Sequence, residues 1–111
     1  MKKFLSMIAL TLALLVSPVS TVFAQNPDYR AGVRSAQSGN SVYFTAFNQT
    51  AETVCIWPTV AEATNVNGAV VPMIQLGAGE SNVNIGAFAQ ANSQDAWSVR
   101  VTAQWRIGTC A

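Results

Sequence analysis

The chain has 111 residues, of which 50% are hydrophobic and 10% charged, with no histidine and a formal net charge of +1. So small a charge lacks the basic footprint that grips nucleic-acid backbones, and without His the commonest acid–base catalyst and zinc ligand are both missing. The length suits one domain and excludes two.

In chain order, Met1, Lys2 and Lys3 place positive charge ahead of an apolar run over residues 4–16. Ser17 and Pro18 interrupt it, and Val22-Phe23-Ala24 follows with short side chains at the positions a signal peptidase reads. Residues 1–24 are therefore expected to be a secretory signal peptide cleaved after Ala24, with a lysine pair that resembles bacterial leaders. The apolar run is short for an uncleaved membrane anchor. After cleavage, Arg30, Arg34, Arg100 and Arg106 face Asp28, Glu52, Glu62, Glu80 and Asp95, one acid more than the bases. No polybasic patch remains for anionic lipid.

Residues 25–40 show neither helical nor strand periodicity and are read as a flexible lead-in carrying Tyr29, Arg30 and Arg34. Residues 41–47 (S-V-Y-F-T-A-F) form a strand with Tyr43 and Phe47 on one face and Phe44 on the other, as in a central strand. A turn at residues 48–51 and a second strand over 52–57 predict a hairpin. Asn48-Gln49-Thr50 also fits a glycosylation pattern, read here as a turn. Pro58 has no N–H, so the second strand should end there or run along an edge.

Residues 60–64 are too short for a helix, and Asn65, Asn67 and Gly68 mark a turn. A third strand over residues 69–76 carries Pro72, which predicts an edge or a bulge. Glycines in residues 77–80 make a tight connection. Residues 81–85 alternate, with Val83 and Ile85 inward, and residues 86–95 read as a polar loop whose Phe88 plugs the core. Then comes W-S-V-R-V-T-A-Q-W-R-I, residues 97–107. Its odd positions are all apolar and its even positions all polar, the period of a strand with one face in a core and one in water. Eleven residues exceed the usual strand length, so a bulge or bend is expected within it.

Five or six short strands with turns at close intervals predict an all-β fold, a small antiparallel β-sandwich of immunoglobulin-like type over residues 41–111, with a small β-barrel as the alternative. Export implies an oxidising compartment, where Cys55 and Cys110 should pair. That bridge would stabilise by about 4 kcal/mol in the chain-entropy model.

The remaining residue types decide the function class. A Ser-His-Asp or Cys-His arrangement is impossible without His, and the thiols are expected in the bridge, so a small hydrolase would need two carboxylates from Glu52, Glu62, Glu80 and Asp95. No acidic cluster offers the six to eight oxygens of a calcium site, and no metal or cofactor is expected. Binding is the better class, in the periplasm or outside the cell, to a protein partner and without membrane insertion after cleavage. Trp57, beside Pro58, is the tryptophan expected at the surface, whereas Trp97 and Trp105 share the apolar parity of the long strand. With Arg100 and Arg106 on the polar parity, Trp57 completes the candidate contact set. The Ala, Asn, Gln, Ser and Thr richness of residues 61–98 also resembles subunits of extracellular assemblies, making a structural subunit the alternative, with self-association possible.

Overall fold

Residues 20–26 and 28–111 are described by a computed structural model. The strand with the clearest alternation lies at the centre of its sheet. In β8 (Trp97–Ile107), Trp97, Val99, Val101 and Ala103 are buried and the residues between them are not. Its apolar face would be stranded in water without partners, and seven more strands supply them: β1 (Ser20–Gln25), β2 (Ala31–Ser38), β3 (Ser41–Asn48), β4 (Val54–Thr64), β5 (Val66–Val70), β6 (Ile74–Leu76) and β7 (Val83–Gln90).

They form two four-stranded sheets, ordered β1-β8-β4-β6 and β2-β3-β7-β5. Every pairing is antiparallel except β1 with β8. The inward faces share one core, in which Val42, Phe44 and Phe88 meet Val54, Ile56, Val99 and Val101. Phe44 and Phe88 pack edge to face with centroids 5.9 Å apart, the arrangement the ring quadrupoles favour. The β-sandwich and the Cys55–Cys110 disulfide are both present as the sequence led one to expect. The anticipated irregularity is there too, but on the partner of the long strand: the β4–β8 register shifts between Val60 and Glu62.

Several local expectations are corrected. The residues after β3 do not turn back as a hairpin, because β4 belongs to the other sheet. The hairpin is β2–β3, closed by Gly39 and Asn40. Residues 25–40, read as a lead-in, thus contain a full edge strand. Its Gly32 and its run of exposed, mostly polar side chains beyond Val33 hid it, since only Ala31, Gly32 and Val33 are buried. Residues 60–64 continue β4, which passes Pro58 because β6 pairs only with Val54, Cys55 and Ile56 and leaves the rest of that side as an edge. The third predicted strand is two strands in different sheets, with Pro72 between them. Residues 86–90 belong to β7 rather than to a loop. Gly86, at φ 154°, is a point of close backbone approach to Ala69 and Val70, where any Cβ would collide, and so punctuates the strand without ending it. The leader expected over residues 1–24 lies outside the described residues except for residues 20–24, which form most of β1.

One buried polar side chain joins the sheets where the chain crosses from β3 to β4. Asn48 is 1% exposed. Its amide nitrogen donates to the carbonyls of Glu52 at 2.7 Å and Gly77 at 2.9 Å, and its oxygen accepts from the N–H of Thr50 at 2.9 Å and the Thr50 hydroxyl at 2.7 Å. Its backbone N–H donates to the Glu80 carbonyl at 2.7 Å. The same amide that could have accepted a glycan is thus consumed inside the corner. Asn48→Ala leaves several buried groups without partners and is expected to cost about 3 kcal/mol in urea unfolding, against under about 1 kcal/mol if the corner were incidental.

Candidate binding surface

The outer face of the β1-β8-β4-β6 sheet carries the polar parity of β8. Register places Trp57 opposite Gln104, Thr59 opposite Thr102 and Glu62 opposite Arg100. Cys55 faces the same side, opposite Arg106, and its bridge to Cys110 straps the tail of the chain across that end of the sheet, with the Cα atoms 5.0 Å apart. The Cys110 N–H donates to the Gln75 side-chain oxygen of β6 at 3.0 Å, which ties the strap to a third strand.

Beside the strap, the Arg106 guanidinium lies over the Trp57 ring, 5.5 Å from its centroid, and donates to the Thr109 carbonyl at 3.2 Å. Trp57 is half-buried, and Arg106 is exposed. The structure therefore brings together two of the three residues singled out from the sequence. It does not bring Arg100, which lies about 20 Å further back along β8 at ordinary strand rise and faces Phe23 of β1 and Glu62 of β4.

Around the end of β8, residues outside the sequence-based contact set complete the surface. Trp105 has core parity but sits where the sandwich opens, so it is only half-buried. Its indole N–H donates to the Asp28 carbonyl at 3.4 Å, and the Arg30 guanidinium covers its ring at 5.1 Å. Arg30 is itself clamped by Asp28, at 2.8 Å in the shortest contact. Side-chain hydrogen bonds from Arg30, with its backbone N–H, hold the Asp28 carboxyl below its ordinary pKa, and the same pairing raises that of Arg30. Asp28, Arg30, Gln104, Trp105, Arg106 and Ile107 line an open cleft of about 530 Å³. Arg30 was read as part of a flexible lead-in, and left out of the contact set, because its segment lacks periodicity. The Asp28-Tyr29-Arg30 spacing, which lets the carboxylate accept from the N–H two residues on at 3.1 Å, was the available signal.

Of the four acids that a hydrolase would draw on, three have carboxylates engaged one by one in local structure, while Glu52 contributes main-chain groups to the Asn48 corner. Glu80 accepts from the Gly77 N–H, Asp95 from the Asn92 amide at 3.0 Å, and Glu62 from the Ser98 hydroxyl at 3.4 Å. Among the described residues, no group of three or more His, Cys, Asp or Glu side chains could hold a metal ion. On the opposite sheet, Arg34 lies 4.0 Å from the Phe47 centroid and covers a ring that is 3% exposed, which explains how an aromatic on the outer parity of β3 stays dry.

An exposed cation over a ring contributes about 0.5–1 kcal/mol, so Arg106→Gln should unfold in urea within about 1 kcal/mol of the wild type. A loss above about 2 kcal/mol would make Arg106 part of the fold rather than of a surface. No family model matches the chain, and neither a curated protein nor a solved structure matches it.

Proposed function

We propose that the chain is an exported, non-catalytic binding module that takes an acidic segment of a protein partner into the cleft at the end of β8. The observation that carries this reading is one opening lined by Arg30, Trp105 and Arg106, in which Arg30 lies over Trp105 and Arg106 is backed by the Trp57 ring on the adjoining outer face of the sheet. Tryptophan and arginine are the residues on which interface energy concentrates, because each offers a large rigid surface together with donors. The two arginines have different parts. Arg30 is neutralised by Asp28, the one salt bridge among the described residues, and shapes the wall. Arg106 faces the cleft with no acid paired to it among the described residues, held in place by Trp57 and the Thr109 carbonyl, ready for a carboxylate in the forked geometry that guanidinium favours.

The compartment supports the reading. A disulfide is compatible with an oxidising environment, and the leader expected from residues 1–24 would deliver the chain there, into the periplasm or out of the cell. No helix among the described residues is long and apolar enough to cross a membrane. The rival reading, a subunit of an extracellular assembly, draws on the edge of β4 beyond Ile56, which has no strand beside it among the described residues.

Quantitative capture from envelope and medium fractions on the immobilised exported protein tests the proposal. Arg106→Gln and Trp57→Ala should each remove the same captured proteins, while Arg100→Gln should retain them. Equal capture by the wild type and Arg106→Gln would overturn the assignment of the cleft.

A further inference from the structure

The parallel strand β1 lies in a place that processing would empty. Its residues pair with β8 in unbroken register, Ser20 with Trp97, Val22 with Val99, Ala24 with Val101 and Gln25 with Thr102. Val22 and Ala24 turn inward and pack against the core, while Phe23, 52% exposed, turns outward beside Arg100. The Gln37 amide of β2 donates to the Ser20 hydroxyl at 2.9 Å across the mouth of the sandwich. The cleavage motif Val22-Phe23-Ala24 ends inside this strand.

The segment just beyond the cleavage point is fastened independently. The Asn26 side chain accepts from the Val33 N–H at 2.7 Å and donates to the Val33 carbonyl at 2.9 Å. It occupies the space beside Gly32, at φ 154°, where any Cβ would strike the amide. A cut after Ala24 would thus remove β1 except for Gln25 and leave its anchor in place. Half of β8 would then lose its ladder on one side, and the slots of Val22 and Ala24 would open beside Val99 and Val101.

We infer that this edge of β8, once cleared, is a strand-acceptor site for an extended segment of another polypeptide, running parallel to β8 with small apolar residues at alternating positions. The inference rests on the reading that the chain is exported and cleaved after Ala24. Main-chain groups of β8 supply the ladder, and the two slots supply selection by side-chain size, as in recognition by strand addition generally. The slots are sized by the residues now in them, valine and alanine. That argues against a second copy pairing through its own β8, which about a two-fold axis would run antiparallel rather than in the parallel register of β1 and whose inward residues include Trp97. A cleft of about 470 Å³ lined by Ala24, Gln25, Asn26, Tyr29 and Thr102 opens where β1 ends and gives an incoming strand room to continue.

The test uses the full chain expressed with its own leader and the product recovered after export. Its mass should place the new N-terminus at Gln25. An amidated synthetic peptide of residues 17–24 should then raise the Tm of that product and slow amide exchange in residues 97–102 of β8. A peptide carrying Val22→Asp and Ala24→Asp should bind at least about ten-fold more weakly, since its carboxylates would be buried unpaired. An N-terminus upstream of Ser20, or no export, would overturn the reading of the leader, and with it the open edge. An N-terminus at Gln25 with no protection of residues 97–102, or equal binding of both peptides, would overturn the acceptor site alone. A dimer that the peptide fails to dissociate would give the edge to a second copy and overturn it as well.

Discussion

The pairing of β4 with β8 is the constraint on which the other parts depend. It runs from Val54 opposite Ile107 to Thr64 opposite Ser98, with one bulge, and it places Val54, Ile56, Val99, Val101 and Ala103 on a common inner face. A domain of this size buries only about two-thirds of the surface its unfolded chain exposes, so packing alone leaves a narrow margin of stability. The bridge from Cys55 to Cys110 supplements it at the end where β8 runs out, and Asn48 ties the neighbouring corner to the second sheet. One end of the ladder is thereby fixed by covalent and buried polar contacts, and the rest is set by the alternation of β8.

That arrangement also decides where a surface can form. β1 covers β8 only from Trp97 to Thr102. Beyond it, Gln104, Trp105 and Arg106 have β4 on one side and residues 28–30 on the other, so large side chains can stand half in and half out. The cleft exists because one neighbour stops short while β8 continues. Trp105, which lines it, belongs to the dry face of the sheet at its open end, whereas Trp57, which backs Arg106, belongs to the wet face.

The alternation of residues 97–107 was legible in full, because a strand buried on one face writes its period directly into sequence. The same holds for the disulfide, once the compartment was inferred, and for the central position of β3, with aromatics on both faces. β2 could not be read, because beyond Val33 its side chains are exposed on an edge and carry no apolar period. Pro58 and Gly86 mark local geometry that the chain passes through, yet each resembles a terminator in one dimension. Of the candidate contact residues, Trp57 and Arg106 meet because β4 and β8 pair in one register and no other. Arg100 shares their parity but not their neighbourhood, and Arg30 reaches Trp105 only through the fold.

The central claim is that the bridge between Cys55 and Cys110 secures the β4–β8 ladder and with it the sandwich. Equilibrium unfolding in urea of the oxidised wild type against Cys55→Ala/Cys110→Ala measures it directly. A loss of about 4 kcal/mol is expected for a closed loop of this length. A double variant that unfolds within about 1 kcal/mol of the wild type would contradict it, since the ladder would then hold without its strap.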